Sequence, residues 1–287
     1  MSRRCPICSA DDWSPRVGAL RDAPDIGVVQ CVRCGVVIPE REPAVAIDYA
    51  SGSMFGAAVP NFDALRQGGA TDNKRRVAAL REVVDQRPLI DLGCGAGGFL
   101  SLVGSGTPKF GVELDQESRQ YCLDEGLKVY RTLDEIPEHT REEIQVLTLF
   151  HVLEHISDPR GFLEQALAQL PAVDVVVIEV PCSEDPLLNV VFSEPFAHYT
   201  YWTHHCHLHS LASLRLTLGS VLSEVHVERV QRYGLANHLG WLTQGGPGGD
   251  TRFAWASGTE VDLRYRESLI DLGFSDTLWA TARPLRG

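Results

Sequence analysis

Residues Pro88 to Asp115 read PLIDLGCGAGGFLSLVGSGTPKFGVELD. A short apolar run, Leu89-Ile90, ends on an acid, Asp91, and a turn carrying Gly93, Gly95, Gly97 and Gly98 follows. An apolar segment of helical character comes next, then a second short strand, Lys109 to Leu114, closing on Glu113 and Asp115. Strand, glycine turn, helix and strand in that order predict one unit of an open parallel sheet, which takes its ligand at the carboxyl ends of its strands. Glycines suit such a turn because a ligand can approach bare backbone where a side chain would block it.

Two chemistries fit these letters. Gly93, Gly95 and Gly98 satisfy the G-x-G-x-x-G dinucleotide pattern, and Glu113 stands near the spacing of an acid that grips ribose hydroxyls. Asp91, two residues before the first glycine, weighs the other way. A carboxylate at that strand end repels a pyrophosphate and suits a ligand bearing an ammonium group. S-adenosylmethionine carries an ammonium, a sulfonium and no phosphate. The stretch resembles the D-x-G-x-G-x-G first motif of the class I methyltransferases that use this cofactor. That resemblance implies cofactor contacts from Asp91, Gly93, Gly95, Gly97, Glu113, Leu114 and His151. It also implies a doubly wound, Rossmann-like α/β sheet of seven strands over residues 72–287.

Composition narrows the partners. With 26 Lys and Arg against 38 Asp and Glu, the formal charge of -12 disfavours polyanions, so nucleic acid is not expected. A 44% apolar content suffices for a sizeable core. No run approaches the roughly 18 apolar residues of a membrane span, and MSRRCPICSADDW lacks an export signal, so a soluble, cytoplasmic protein is expected. Four of the eight cysteines are paired as Cys5-x-x-Cys8 and Cys31-x-x-Cys34, whereas Cys94, Cys122, Cys182 and Cys206 are scattered. The pairs are 22 residues apart, slightly more than usual for zinc knuckles. Four thiolates complete a tetrahedral Zn(II) shell and leave no open position, so residues 1–45 are expected to form a structural zinc module. Too short to bury a core, that module should depend on its ion.

Residues 46–71 are rich in Gly, Ala and Asn and read as a linker, or as a lid carrying Tyr49, Met54, Phe55 and Phe62. A helix is expected from a cap at Asp72 or Asn73, with Val77, Leu80, Val83 and Val84 on one face, ending at Pro88. Further on, residues 116–126 read as helix, 127–130 as strand, 144–150 as a strand buried on both faces, 160–170 as helix and 173–180 as strand. Residues 211–218 read as helix, 221–230 as strand, and 277–282 as the last strand of a terminal hairpin. This alternation is the pattern of a doubly wound sheet. Insertions are expected at about 182–210 and 231–274, the latter acting as a C-terminal cap.

Two clusters carry chemistry. His151-Val-Leu-Glu154-His155 matches the letters of the zinc peptidase pattern H-x-x-E-H, but in the wrong setting, after a sheet strand. An equivalent segment occurs in the methyltransferases this chain resembles. The likeness implies that His151 lies by the cofactor, while Glu154 and His155 hold the loop. Residues 193–210, SEPFAHYTYWTHHCHLHS, hold His198, His204, His205, His207 and His209, five of the ten histidines, with Cys206. Three readings stay open for them: a general base for an alcohol acceptor, packed or solvated histidines without a role, and a second metal site.

The amino-terminal CxxC pairs, the Glu179-Val-Pro segment and the histidine-bearing stretch before Ser210 make the chain similar to bacterial methyltransferases of sugars and nucleotide-linked sugars. Aligned on Ser210 to Leu214, the Tyr-x-Glu-His of the sugar C-methyltransferases becomes Trp202, His204 and His205. Only the His remains, which favours O-methylation, with His205, His204 or His151 as catalytic candidates. Trp202, His207, Tyr233, Asn237, His238 and Trp241 are the expected acceptor-binding residues, aromatic faces being suited to sugar rings. The rivals are a sugar C-methyltransferase, a ribosomal RNA methyltransferase with a zinc module, and a cofactor-binding partner without turnover.

Overall fold

The computed structural model describes residues 3–43, 49, 60–84 and 86–285. Met54 and Phe55 of the expected lid lie outside them. Among the described residues the chain builds a three-stranded and a seven-stranded sheet. The small one is an antiparallel meander of β1 (Trp13–Leu20), β2 (Ala23–Cys31) and β3 (Val37–Pro39). The large one contains β4 (Leu89–Leu92), β5 (Lys109–Val112), β6 (Val129–Tyr130), β7 (Val146–Phe150), β8 (Val175–Pro181), β9 (Leu222–Val230) and β10 (Thr277–Pro284). Its order is β6-β5-β4-β7-β8-β10-β9, with β10 antiparallel to both neighbours. The expected terminal hairpin therefore forms, and its second strand wedges between β8 and β9.

Side-chain alternation sorts the core into two layers. Leu147 and Leu149 of β7, with Val176, Ile178 and Val180 of β8, pack with Leu163, Leu214 and Leu218. Val146, Phe150 and Val177 point the other way, toward Leu80, Phe99 and Cys122. Strands buried on both faces read as continuous apolar runs. Chain order reverses between β4 and β7, so the crevice above their carboxyl ends is the ligand-binding position of this sheet.

Three local expectations need correction. The helix expected from Asp72 or Asn73 begins at Ala70, and a further helix, Phe62–Gly68, precedes it inside the expected linker. Asn61 caps that helix, accepting from the Ala64 N–H. Asn73 is no cap; it is buried in the following helix and accepts from Arg76 at 2.8 Å.

The small sheet does not stand alone. Leu20, Ile26, Val28 and Val37 share a core with Leu188, Ala197, Tyr201 and Leu208 of the first insertion. Val37 and Leu208 form an isolated antiparallel bridge, and the Ser210 hydroxyl donates to the Cys34 carbonyl at 2.5 Å. The second insertion, between β9 and β10, forms helices Leu235–Gln244, Gly249–Arg252 and Glu260–Asp271. Trp241 of the first of these packs on Phe196 and Tyr199, with ring centroids 5.0 and 5.1 Å apart.

Candidate active site

Two cavities open at the carboxyl ends of the strands. The first, about 410 Å3, is walled by Gly93, Gly95, Glu113, Leu114, Tyr49 and the loop 131–134. The second, about 390 Å3, is walled by Trp202, Tyr233, Asn237, Trp241 and His205. His151 and His155 line both. A larger groove of about 730 Å3 is lined by Gln86, Gly104 and Thr107, which precede β4 and β5, so it opens at the opposite strand ends.

In the first cavity Glu113 presents both oxygens. One accepts from Gly95 N–H at 2.8 Å and the other from Asp115 N–H at 2.9 Å. Burial pushes its carboxyl up against these two donors. Gly95 has φ 51° and open space where a Cβ would project, the condition for a ligand to lie against backbone. Gly97, expected beside it, is not on the cavity wall. Its φ is 70°, and a Cβ there would meet Leu127 Cδ1 at 2.5 Å and Cys122 Sγ at 2.9 Å, so a left-handed backbone and close packing both call for glycine. Asp91 is also off the wall. It is buried under the turn, accepts from the Thr148 hydroxyl at 2.8 Å, and burial pushes its carboxyl up to about 7.

His151 leaves β7 at φ 56°, a left-handed conformation rare outside glycine. Its Nδ1 lies 3.3 Å from Glu154, and its Nε2 is 3.1 Å from Glu179 without hydrogen-bonding alignment. Burial and Arg232 push its pKa down, but the two carboxylates outweigh them and the net shift is upward. Glu179, fully buried on β8, also takes Arg75 and Arg76, each at 2.5 Å. Burial would raise that carboxyl, yet His151 and Arg76 hold it well below the usual range.

The histidine-rich segment divides. Only His205 of its five histidines reaches the second cavity, and burial pushes its pKa down to about 3. His204 is buried and stacked on Trp202 at 4.1 Å, outside both cavities. His207 is buried against the Ile156 carbonyl at 3.2 Å, and His209 against the Ser213 hydroxyl at 3.1 Å. His238 pairs with the Tyr265 hydroxyl at 2.6 Å. His204, His207 and His238, expected at the site, therefore lie off both cavity walls. His155 does hold a loop as expected, its Nδ1 lying 2.8 Å from the His204 carbonyl.

Sequence reading missed Arg21, Asp185, Tyr199 and Arg232 on the second cavity wall. Arg21, in the turn after β1, lies 4.0 Å over the Trp202 ring. Arg232 is fixed by Asp72 at 3.0 Å and Asp276 at 3.3 Å. Burial beside Asp276 pushes the Asp185 carboxyl up to about 8. None of these has a motif; each comes from an element remote in sequence from the glycine turn.

At the amino terminus Cys5, Cys8, Cys31 and Cys34 form one cluster with free thiols. Cys5 and Cys34 sulfurs are 3.6 Å apart, Cys8 and Cys31 sulfurs 3.5 Å. Tetrahedral Zn(II) with bonds of about 2.3 Å places sulfurs about 3.8 Å apart, so the four residues fit that ion.

A family model described as a methyltransferase domain matches residues 62–220. Among solved structures, a SAM-dependent methyltransferase from Archaeoglobus fulgidus is similar at 18% identity, covering 74% of this chain and 94% of its own, with TM-score 0.48. Magnesium protoporphyrin IX methyltransferase from Synechocystis PCC 6803, solved with bound SAH, gives 13% identity, 82% and 92% coverage and TM-score 0.45. Geranyl diphosphate C-methyltransferase from Streptomyces coelicolor A3(2) gives 12%, 74% and 76%, and 0.46. No curated protein sequence matches. With more than half of its length inside the family match, the chain belongs to the methyltransferase-domain family.

Proposed function

We propose that this chain methylates an oxygen atom of a small ring-bearing acceptor, a sugar or nucleotide-linked sugar, from S-adenosylmethionine held in the first cavity. The observation that carries the reading is that His151 and His155 line both cavities, so donor and acceptor would meet at their side chains. When bound, the donor supplies an electrophilic methyl group on a sulfonium, and displacement needs chiefly in-line positioning. Each Glu113 oxygen, already holding one backbone N–H, keeps a lone pair for a ribose hydroxyl. Leu114, 41% exposed, offers an apolar face to adenine. Asp91 would act on the donor's ammonium through its charge from beneath the turn.

On the acceptor side Tyr233, 41% exposed, gives a flat face for a ring, Trp202 and Trp241 line the wall between the groups already packed on them, and Asn237 gives polar contacts. His151 is the proton acceptor we assign from its position. His205, at its depressed pKa, suits contact with the acceptor better than proton uptake. The departure of Trp202 and His204 from the C-methyltransferase pattern supports oxygen as the methylated atom. Structural zinc on the four amino-terminal cysteines would stiffen the small sheet against the 182–210 insertion, and so shape the acceptor wall. The net negative charge supports a small molecule over nucleic acid as partner. No described helix is long and apolar enough to cross a membrane.

Incubation with methyl-labelled donor and fractionated metabolites tests this, a labelled sugar ether being the expected product; label on carbon or on RNA would refute it. Glu113→Ala is expected to weaken S-adenosylhomocysteine binding at least about tenfold, on the order of 1.4 kcal/mol. Unchanged affinity would remove Glu113 from the donor site. A positively charged ligand prefers Asp91 ionised, so affinity should rise with pH through about 7 and then level, as the folded carboxyl loses its proton. Asp91→Asn should flatten that rise; a slope that persists in the variant would assign it elsewhere.

A further inference from the structure

Glu154, His155 and His205 each offer a ligand atom within 4.8 Å of the others. All three side chains reach the second cavity. Their remaining polar atoms are already committed. His155 Nδ1 lies 2.8 Å from the His204 carbonyl and His205 Nδ1 lies 3.0 Å from the Thr200 carbonyl. A carbonyl only accepts, so each Nδ1 carries the hydrogen and each Nε2 is left with a bare lone pair. Glu154, 1% exposed, takes His151 on one oxygen, and its buried Oε2 has no hydrogen-bond partner. Two imidazole lone pairs and a carboxylate oxygen thus converge with no donor among them. The imidazoles are half-buried, but the Glu154 oxygen is fully buried, and an unpaired carboxylate oxygen there is costly unless something positive sits beside it.

We infer that Glu154, His155 and His205 bind a divalent first-row cation at the edge of the acceptor cavity, separate from the four-cysteine cluster. Two imidazoles and a carboxylate make a donor set such ions accept while keeping positions open to a substrate or water. The Nδ1–H contacts to backbone carbonyls are the outer contacts that fix metal-binding imidazoles. The use of the site rests on the methyl-transfer reading, although its existence does not. Methylating a hydroxyl forms a C–O bond while the C–S electron pair stays on sulfur, and one proton departs. A cation beside the acceptor oxygen eases that departure, with His151 or water taking the proton. The rival occupant of the triangle is a proton, held as an imidazolium against Glu154.

Zinc-replete protein titrated with Co(II) separates them. The expected result is one additional Co(II) per chain, with visible d–d absorption, no sulfur-to-cobalt charge transfer, and a nitrogen and oxygen shell by X-ray absorption. Glu154→Gln and His205→Ala should each weaken that uptake by about 100-fold, the upper end of what even outer-contact changes cost metal sites. No uptake, a thiolate signature, or unchanged uptake in folded variants would overturn the site. The wild-type X-ray absorption decides the case if a variant does not fold. S-adenosylhomocysteine calorimetry on the same samples reports on the donor cavity alone. Failure there overturns the methyl-transfer reading, whereas failure of cobalt uptake overturns only the cation site.

Discussion

His151→Asn is expected to lower kcat by about 10²–10⁴-fold, the range for loss of a positioned proton-transfer group, while S-adenosylhomocysteine affinity should change little. Asparagine is the informative replacement because it tolerates the left-handed backbone at φ 56°, where most side chains add strain. The variant keeps a polar group between Glu154 and Glu179, which lie 3.3 and 3.1 Å from the imidazole nitrogens. Single-turnover kinetics with the labelled donor and the identified acceptor read the chemical step directly. A rate within about threefold of wild type would show that His151 orients the wall without moving a proton, since a general base contributes far more than that.

Cys31→Ser should do the most to stability and to acceptor use together. Cys31 is wholly buried among the cysteine cluster and ends β2, the strand that carries Ile26 and Val28 into the shared core. A structural zinc site supplies folding free energy outright, so opening the proposed zinc shell would release the sheet that supports Leu208, Ala197 and Tyr201. A loss of about 4 kcal/mol would lower the melting midpoint by on the order of 10 °C in a chain of this size. Turnover should fall with it, whereas S-adenosylhomocysteine binding should persist because Gly95, Glu113 and Leu114 lie on the other cavity. Scanning calorimetry and acceptor KM measure the two effects. Wild-type melting and KM in the variant would mean that the module neither holds an ion nor shapes the acceptor wall.

The parts of this molecule legible in its sequence are those whose cause is local. Asp91 to Asp115 carry strand, turn and strand in one stretch, and β7 and β8 are apolar because both of their faces are covered. The helix Phe62–Gly68 went unread because it sits inside a Gly- and Ala-rich stretch, although Asn61 is a cap and Ala64 to Gln67 are helix formers. Its support is tertiary: Arg66 donates to the Ala96 carbonyl at 2.7 Å and pairs with Glu125 at 2.8 Å. Gly97 looks like its neighbours in the motif, but a contact with Leu127, 30 residues on, also calls for glycine there.

The histidine-rich segment shows the same limit. Residue type singles out five imidazoles, but which one faces the cavity depends on Thr200, Ile156 and Ser213, whose hydrogen bonds fix His205, His207 and His209. The triangle of Glu154, His155 and His205 joins two segments about 50 residues apart, and no spacing rule in either announces it. Arg21 reaches the wall of the second cavity because the small sheet packs on the first insertion.

Calorimetric titration of the zinc-replete protein with S-adenosylmethionine, set beside a nicotinamide dinucleotide, tests the central claim most directly. The glycine turn over a buried carboxylate predicts saturable one-to-one binding of the sulfonium donor, weakened at least about tenfold by Glu113→Ala, and no binding of the dinucleotide. Saturable binding of the dinucleotide with none of the sulfonium donor would contradict it.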